Sequence, residues 1–283
     1  MIGVRVEIKD ALNDETIRIQ YFLIHLATVI IKLLYKTHTI FFTKMESITG
    51  KSNLHKLVEL GKDFISLFYP HYCLGCTNSL VKGEDILCTY CIHQLPKTNY
   101  QITEENPVKN RFSGRLNVKY AAAYLKFRKT GIVQKLLHQL KYRHHPEVGI
   151  KLGQLMGFEQ VKAVASDINL IVPVPLHASR ERQRGYNQSA KLAEGISMAT
   201  GIAWANGISV RTARTKTQTR MNRAERWENV KSVFNVKDRN ALEGKHILLV
   251  DDVMTTGATL EACGQHLLAN GCATLSILCI AEA

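Results

Sequence analysis

The run from Ile247 to Thr259 constrains this chain more than any other part of its sequence. Residues 247–250 are all apolar, Asp251 and Asp252 follow directly, and a hydroxyl-rich turn then leads towards an expected helix. Ligands of open α/β sheets bind outside the carboxyl ends of the strands. We therefore expect a binding site here, at the end of a buried strand.

The turn after the two aspartates has the composition of a phosphate cradle. Backbone N–H groups at a helix N-terminus attract an anion, and threonine hydroxyls add further donors. Adjacent carboxylates can accept hydrogen bonds from ribose hydroxyls and help to hold Mg²⁺, which prefers oxygen ligands. The alternative is that the aspartates only cap the helix and Gly257 only makes the turn. The expected phosphate-binding residues are Thr255, Thr256, Gly257, Ala258 and Thr259.

Hydrophobic periodicity predicts an α/β fold for the larger part of the chain. Buried strands are expected at Ile168–Val174, His246–Val250 and Thr274–Ala281, and helices at Ile132–Lys141, Asn187–Ala199 and Gly257–Ala269. Strands that alternate with helices of this length favour a mainly parallel sheet with helices on both faces.

Four cysteines predict a small metal-binding module. They form two CxxC pairs, and a closed set of four thiolates suits a structural, tetrahedral Zn²⁺ site. Disulfides or a redox pair are the alternatives, and His71 or His93 can replace one ligand. The expected zinc ligands are Cys73, Cys76, Cys88 and Cys91. Three further cysteines, Cys263, Cys272 and Cys279, are expected to be small core residues.

The length of 283 residues favours one large domain with a smaller module. We expect residues 45–100 to form a helix, over Leu54–Phe68, followed by the zinc module. Residues 97–115 are expected to contain a polar linker, and residues 115–283 the larger domain. Residues 1–44 precede Met45 and carry no motif, so they are interpreted either as an upstream misassigned start or as an amphipathic N-terminal helix.

Charge and cysteine usage limit the partners and the compartment. The net charge of +13, from 37 basic and 24 acidic residues, favours anionic partners such as nucleic acid or phosphorylated metabolites. An odd cysteine count without a signal-peptide pattern favours a reducing cytoplasm. His25 and Lys32 interrupt the apolar segment 19–35, which is too short for a stable membrane span.

Two arginine-rich segments are expected to bind pyrophosphate or DNA. The first follows the apolar residues Val172–Val174 and leads as a basic loop into a helix, and the second is a candidate for a mobile loop that closes over an anion. A solvated charged face is the alternative for both. The residues expected to bind are Arg180, Arg182, Arg184, Arg214, Arg220, Arg223 and Arg226.

These motifs together resemble a known family. Residues 247–259 look like the phosphoribosyl pyrophosphate motif of type I phosphoribosyltransferases. The order of the four-cysteine module, "QLKYRHHPEVGIKLG", "VPVPLHASRERQRGYNQSAKLA", "RTKTQTRMNRAERWENVKSVF" and the Asp-Asp motif resembles the ComF family over about residues 60–283. The resemblance implies a type I phosphoribosyltransferase-like fold in which Asp251 and Asp252 contact ribose and Thr255–Thr259 contact the 5-phosphate.

The resemblance also implies a function in DNA uptake during natural transformation. The expected partners are phosphoribosyl pyrophosphate with Mg²⁺, single-stranded DNA and a competence helicase. The alternative is an active phosphoribosyltransferase of nucleotide salvage or synthesis that releases pyrophosphate, and a regulator that senses the sugar phosphate is a third interpretation. Members of the ComF family are often called amidophosphoribosyltransferases. That name fits this sequence poorly, because no glutaminase module with an N-terminal nucleophilic cysteine is visible.

Overall fold

A computed structural model describes residues 69–100, 102–211 and 234–283, and the described residues from His71 onwards form one compact unit. Its centre is a four-stranded parallel sheet with strand order β1-β6-β5-β2. A separate antiparallel pair joins β3 to β4. The strands are β1 (Ala121–Lys126), β2 (Leu170–Pro173), β3 (Ser209–Arg211), β4 (Phe234–Val236), β5 (His246–Met254) and β6 (Thr274–Glu282).

Helices cover both faces of the parallel sheet, as the sequence predicts. In chain order they are α1 (Thr89–His93), α2 (Pro107–Asn110), α3 (Ile132–Tyr142), α4 (Pro146–Met156), α5 (Ala178–Arg184), α6 (Gln188–Thr200) and α7 (Ala258–Leu268). A π-helical turn (Gly157–Val161) and a 3₁₀ helix (Lys162–Asp167) follow α4.

The alternation of side chains along β5 explains why two apolar cores form. Leu248 and Val250 face one core, which α3, α4 and α6 cover. Ile247 and Leu249 face the other core, which α7 covers. Successive side chains of a strand point to opposite faces, so a continuous apolar run is required where both faces are buried. This confirms the α/β fold with a mainly parallel sheet.

Residues 97–115 are not the linker that the sequence predicts. Val108 and Phe112 are fully buried against the core that α7 covers. Asn106 caps α2, because its Oδ1 accepts from Val108 N at 3.0 Å, and its Nδ2 donates to Ala121 O at 2.8 Å. The prediction was wrong because α2 has only four residues, too few to show a helical pattern of apolar positions.

Several predictions fall outside the described residues. These are the extension 1–44, the expected helix Leu54–Phe68 and most of the second arginine-rich segment. The predicted domain boundaries therefore stay predictions. Across residues 69–100, 102–211 and 234–283, no helix combines the length and the apolar character that crossing a membrane requires.

Candidate functional site

The two aspartates lie within the carboxyl-terminal half of β5, and not after it. The strand continues to Met254, and Asp251 is in register with Cys279 of the neighbouring strand β6. The predicted strand ended at Val250, because carboxylates are unusual within a buried strand. The longer strand fixes the backbone of both aspartates in the sheet, which orients their side chains at the sheet's ligand-binding end.

Asp251 is held by hydrogen bonds from two directions. Its Oδ1 accepts from Ser189 Oγ at 2.9 Å and from the backbone N–H of Asp252 at 2.8 Å. Burial and the charge of Asp252 nevertheless raise the pKa of Asp251 to about 7. This carboxyl group can therefore gain or lose a proton near neutral pH.

Asp252 has a cationic partner. Lys141 Nζ, from the last turn of α3, lies 2.8 Å from Asp252 Oδ2, and both side chains are largely buried. The backbone N–H of Val253 donates to Asp252 Oδ1 at 2.6 Å. The sequence analysis included Lys141 in a family segment but assigned it no role, because nothing local connects it to a residue on a distant strand.

Asn187 explains why Ser189 reaches Asp251. The Asn187 side chain caps α6, with Oδ1 accepting from Ser189 N at 3.0 Å. Its Nδ2 donates to Val174 O at 3.0 Å, which fixes the helix start beside the end of β2. The capping residue thus places the first turn of α6 against β5, and Ser189 is a site residue that the sequence analysis missed.

The predicted phosphate turn connects β5 to α7. Thr255, Thr256 and Ala258 are exposed, Thr259 is partly exposed and Gly257 is buried. Gly257 has φ +79°, and a Cβ at this position would lie 3.2 Å from the ring of Phe112. Only glycine fits a left-handed conformation packed this closely. The first N–H groups of α7, which have no intrahelical partner, are next to the exposed threonines.

Two arginines from residues 97–115, the segment predicted to be a linker, contact carbonyl groups of this turn. Arg111 Nη1 donates to Thr255 O at 2.7 Å, and Arg115 Nη2 lies 3.5 Å from Thr256 O. Arg111 also pairs with Glu282, and Arg115 with Glu261. The arginines thus bind carbonyl groups of the turn, and the Ala258 N–H donates to Thr256 Oγ1 at 3.4 Å. The sequence analysis missed both residues, because it treated the segment as a linker.

The first basic segment is a helix and not a loop. Arg180, Arg182 and Arg184 lie on α5, where the first two are exposed. Arg184 is partly buried and donates to Gln188 Oε1 at 2.6 Å. The prediction missed this helix because arginine and glutamine side chains gave it no apolar stripe, although His177 caps its start by accepting from Ser179 N.

Arg211, the last residue of β3, interacts with both Arg180 and Asp251. Burial lowers the pKa of Arg211, Arg180 lowers it further, and Asp251 raises it. Arg211 is therefore the described residue that connects Arg180 electrostatically with Asp251. Arg214, Arg220, Arg223 and Arg226 lie outside the described residues, so their predicted anion binding stays a prediction.

The four predicted zinc ligands come together. The Sγ atoms of Cys73, Cys76, Cys88 and Cys91 all lie within 4.8 Å of one another, and all four are free thiols. Cys76 Sγ and Cys88 Sγ are 3.7 Å apart. A tetrahedral zinc site with bonds of about 2.3 Å would separate its sulfur atoms by roughly 3.8 Å. The cluster therefore fits Zn²⁺, which stays a prediction.

Backbone N–H groups stabilise the thiolate form of Cys73, whereas burial raises the pKa of Cys88 and Cys91. Cys88 N donates to Cys73 Sγ at 3.3 Å, and Gly75 N donates to the same sulfur at 3.4 Å. Burial raises the pKa of the Cys73 thiol, but backbone hydrogen bonds from Cys88, Cys76 and Gly75 outweigh it and lower the pKa to about 7. Thiolates are the form that binds metal.

The cysteine cluster packs directly on the sheet-covering helices. A Cβ at Gly75 would lie 2.9 Å from Cys91 Sγ and 3.2 Å from Ile132 Cδ1, at the start of α3. Cys73 and Leu87 belong to the same apolar core as Leu136. The cluster thus stabilises one end of α3, and the other end of this helix carries Lys141. His71 and His93 are exposed beside it. Cys263, Cys272 and Cys279 are buried, as predicted.

Comparison with known proteins identifies the larger domain. Residues 157–283 match the family described as Phosphoribosyl transferase domain. The chain is 35% identical to DNA utilization protein YhgH of Salmonella typhi over 149 residues, which are 51% of this chain and 65% of that protein. It is 34% identical to Competence protein F of Haemophilus influenzae over 114 residues, 40% of this chain and 50% of that protein.

A third relative matches over a longer stretch. The chain is 26% identical to Competence protein ComFC of Bacillus subtilis over 200 residues, which are 70% of this chain and 78% of that protein. The match to YhgH spans slightly less than two thirds of that protein. Together with the parallel sheet, the matched domain confirms the phosphoribosyltransferase-like fold.

Proposed function

We propose that the chain binds phosphoribosyl pyrophosphate, or a related ribose phosphate, and handles single-stranded DNA during DNA uptake. The similarity to Competence protein F and Competence protein ComFC, which the sequence motifs predict, supports this proposal. The ribose phosphate occupies the end of β5. Asp251 and Asp252 face its ribose, and the turn Thr255–Thr259 holds its 5-phosphate.

The observation that carries this proposal is the arrangement of one strand end. Two adjacent carboxylates, fixed by β5, are followed after two residues by an exposed threonine turn at the N-terminus of an 11-residue helix. Arg111 binds the carbonyl of Thr255 in this turn. A phosphate at a helix N-terminus and a ribose beside carboxylates match the chemistry of the two ends of a ribose 5-phosphate.

The same carboxylates fit Mg²⁺. Asp251 and Asp252 supply hard oxygen ligands, and Mg²⁺ in such sites is held by one or two carboxylates together with substrate phosphates. The ion would neutralise phosphate charge in the bound sugar phosphate. Ser189 and Lys141 hold the two carboxylates in place before any ligand binds.

The DNA part of the proposal rests on charge and exposure. Arg180 and Arg182 are exposed on α5, and the chain carries a net charge of +13. Neutralisation of backbone phosphates by such side chains is the main source of affinity for single-stranded DNA.

The test is fluorescence anisotropy of a labelled single-stranded oligonucleotide at one fixed salt concentration. The protein is titrated first alone and then with Mg²⁺ and phosphoribosyl pyrophosphate. We expect binding that the sugar phosphate changes, because Arg211 interacts with both Arg180 and Asp251. The variant Arg180→Gln/Arg182→Gln should bind DNA more weakly, and Lys162→Gln, which removes a cation above the Phe158 ring, is the control. An oligonucleotide that does not bind would rule out the DNA function.

An active phosphoribosyltransferase is the second candidate. Asp251, with a pKa raised to about 7 by burial and the charge of Asp252, has the acidity of a group that can exchange protons at neutral pH. In the reaction a nucleophile attacks C1 of the ribose, the C1–O bond breaks, and pyrophosphate leaves with the bonding electrons. Release of pyrophosphate in the presence of bases or amines tests this candidate, and no release with any of them would exclude it for those acceptors.

A further inference from the structure

The end of α3 carries an aromatic ring that the ribose phosphate site does not use. Tyr142 directly follows Lys141 in the sequence. It is one of the exposed large hydrophobic residues, with 62% of its surface accessible. Successive side chains of an α-helix point about 100° apart, so Tyr142 does not face the aspartates together with Lys141.

Cationic and imidazole groups surround this ring. The Arg184 guanidinium lies 5.4 Å from the centroid of the Tyr142 ring, in a cation–π arrangement. The His138 ring lies 5.2 Å away at an angle of 46°. Lys135, His138 and Tyr142 are three and four residues apart along α3, so they share one helix face, and all three are exposed.

The local charge favours an anion. α3 has the sequence IVQKLLHQLKY, which contains no acidic residue, and Arg143 and His144 continue the exposed surface after it. The acid Glu147, on α4, forms a hydrogen bond with His145. An exposed π-face flanked by cations is what single-stranded nucleic acids bind, because bases stack on the ring and phosphates interact with the cations.

We propose that Tyr142, with Arg184, His138 and Lys135, is a stacking platform for a base of single-stranded nucleic acid. This inference rests on the proposed DNA function and adds where a base is held. Arg184 keeps the ring in position, since Gln188 Oε1 fixes its guanidinium from the first turn of α6. Tyr186 extends this support, because its hydroxyl group donates to Leu140 O at the end of α3.

The platform would lie beside the ribose phosphate site and outside it. Lys141 contacts Asp252 from one side of α3, and Tyr142 is exposed on another. A single strand of nucleic acid can therefore bind to the platform while the ribose phosphate site is occupied. The base that we place here is part of a polynucleotide and is not the acceptor of a transfer reaction.

The test compares oligothymidylate binding by three variants at several salt concentrations. We expect Tyr142→Ala to weaken binding about tenfold, as loss of one stacked base does. Tyr142→Phe retains the ring and should keep the wild-type affinity. Phe158→Ala is the matched control, because Phe158 is 64% exposed and has Lys162 Nζ 4.9 Å from its ring centroid.

Salt dependence separates stacking from charge. Tyr142→Ala removes no cation, so the slope of log affinity against log salt should not change. Arg184→Gln should reduce that slope by about one. In addition, an oligonucleotide that carries iododeoxyuridine should crosslink to Tyr142 in the unsubstituted protein, where folding of a variant is not a concern.

The outcomes distinguish this inference from the proposed function. If the unsubstituted protein does not bind single-stranded DNA, both fail. If the unsubstituted protein binds and Tyr142→Ala binds with the same affinity, only the platform is overturned. The same conclusion follows if Phe158→Ala loses as much affinity as Tyr142→Ala. Loss of phosphoribosyl pyrophosphate binding in Tyr142→Ala would also contradict it, because the ring would then belong to the ribose phosphate site.

Discussion

Lys141 Nζ lies 2.8 Å from Asp252 Oδ2, so the last turn of α3 neutralises one of two adjacent carboxylates on β5. Asp251 accepts a hydrogen bond from Ser189 Oγ. The two neighbours thus have different environments, and burial together with the charge of Asp252 raises the pKa of Asp251 to about 7. This asymmetry leads to the first two predictions.

Replacement of Lys141 by methionine should destabilise the protein. Removal of one partner leaves a largely buried carboxylate without its cation, which costs about 1–3 kcal/mol in the free energy of unfolding. Lys191→Met is the control, because Lys191 pairs with Glu194 on the same helix and both are about one-third exposed, so its loss should cost at most about 1 kcal/mol. Urea unfolding measures both, and equal losses would show that the Lys141 pair has no special role.

The raised pKa of Asp251 predicts a specific pH dependence of stability. Between about pH 4 and pH 7 the folded protein keeps a proton that the unfolded chain has lost, so this group's contribution to stability falls as pH rises, by at most roughly 1.4 kcal/mol per pH unit. The variant Asp251→Asn has no carboxyl group at this position that could titrate. Its free energy of unfolding should therefore rise relative to that of the unsubstituted protein as pH increases across that window.

A control of opposite sign is available at Asp167. Hydrogen bonds from Lys119 and Tyr120 hold the pKa of Asp167 below its usual value. The contribution of Asp167 to the free energy of unfolding is present above about pH 4 and is lost as pH falls through the lowered pKa. The free energies of unfolding of Asp167→Asn and the unsubstituted protein should therefore differ by a constant amount from pH 5 to pH 8. Urea unfolding at several pH values measures both. A constant difference for Asp251→Asn as well would contradict the raised pKa.

Gly257 should tolerate alanine less well than another glycine of the same backbone conformation. Gly257 has φ +79° and Gly201 has φ +76°, but only at Gly257 would a Cβ meet a neighbour, Phe112 at 3.2 Å. Both substitutions incur the left-handed strain of about 1–2 kcal/mol. Gly257→Ala should therefore lose more stability in thermal unfolding than Gly201→Ala. The reverse order would mean that Phe112 does not constrain the turn.

The cysteine cluster should bind one zinc ion that stabilises α3. Cys88→Ser should lose zinc, measured by mass spectrometry of metal content, whereas Cys272→Ser, at a buried cysteine remote from the cluster, should retain it. Because Ile132, at the start of α3, packs against the core that contains Cys73, Cys88 and Cys91, loss of zinc should also increase amide hydrogen exchange in α3. Full zinc content in Cys88→Ser would refute the assignment.

The sequence predicted those parts of the fold that have a local signal. The helix expected at Ile132–Lys141 is observed at Ile132–Tyr142, and the strand expected at Thr274–Ala281 is observed at Thr274–Glu282. Hydrophobic periodicity over ten or so residues carries these predictions. The spacing of the cysteines likewise predicted their convergence.

Contacts between distant segments could not be predicted in this way. Arg111 binds Thr255 O, and Lys141 binds Asp252, across more than 100 residues in each case. A single sequence contains no pairing signal for such contacts. α5 was missed for a different reason: none of its residues is buried, so it shows no apolar periodicity.

Calorimetric titration with Mg²⁺ and phosphoribosyl pyrophosphate tests the central claim, that the end of β5 is a ribose phosphate site. We expect the unsubstituted protein to bind, and Asp251→Asn/Asp252→Asn to bind at least about tenfold more weakly, because each lost charged hydrogen bond contributes roughly 1.5–3 kcal/mol. Asp167→Asn, which alters an exposed carboxylate that pairs with Lys119, should bind normally. A protein that does not bind the sugar phosphate, or a double variant that binds it unchanged, would contradict the claim.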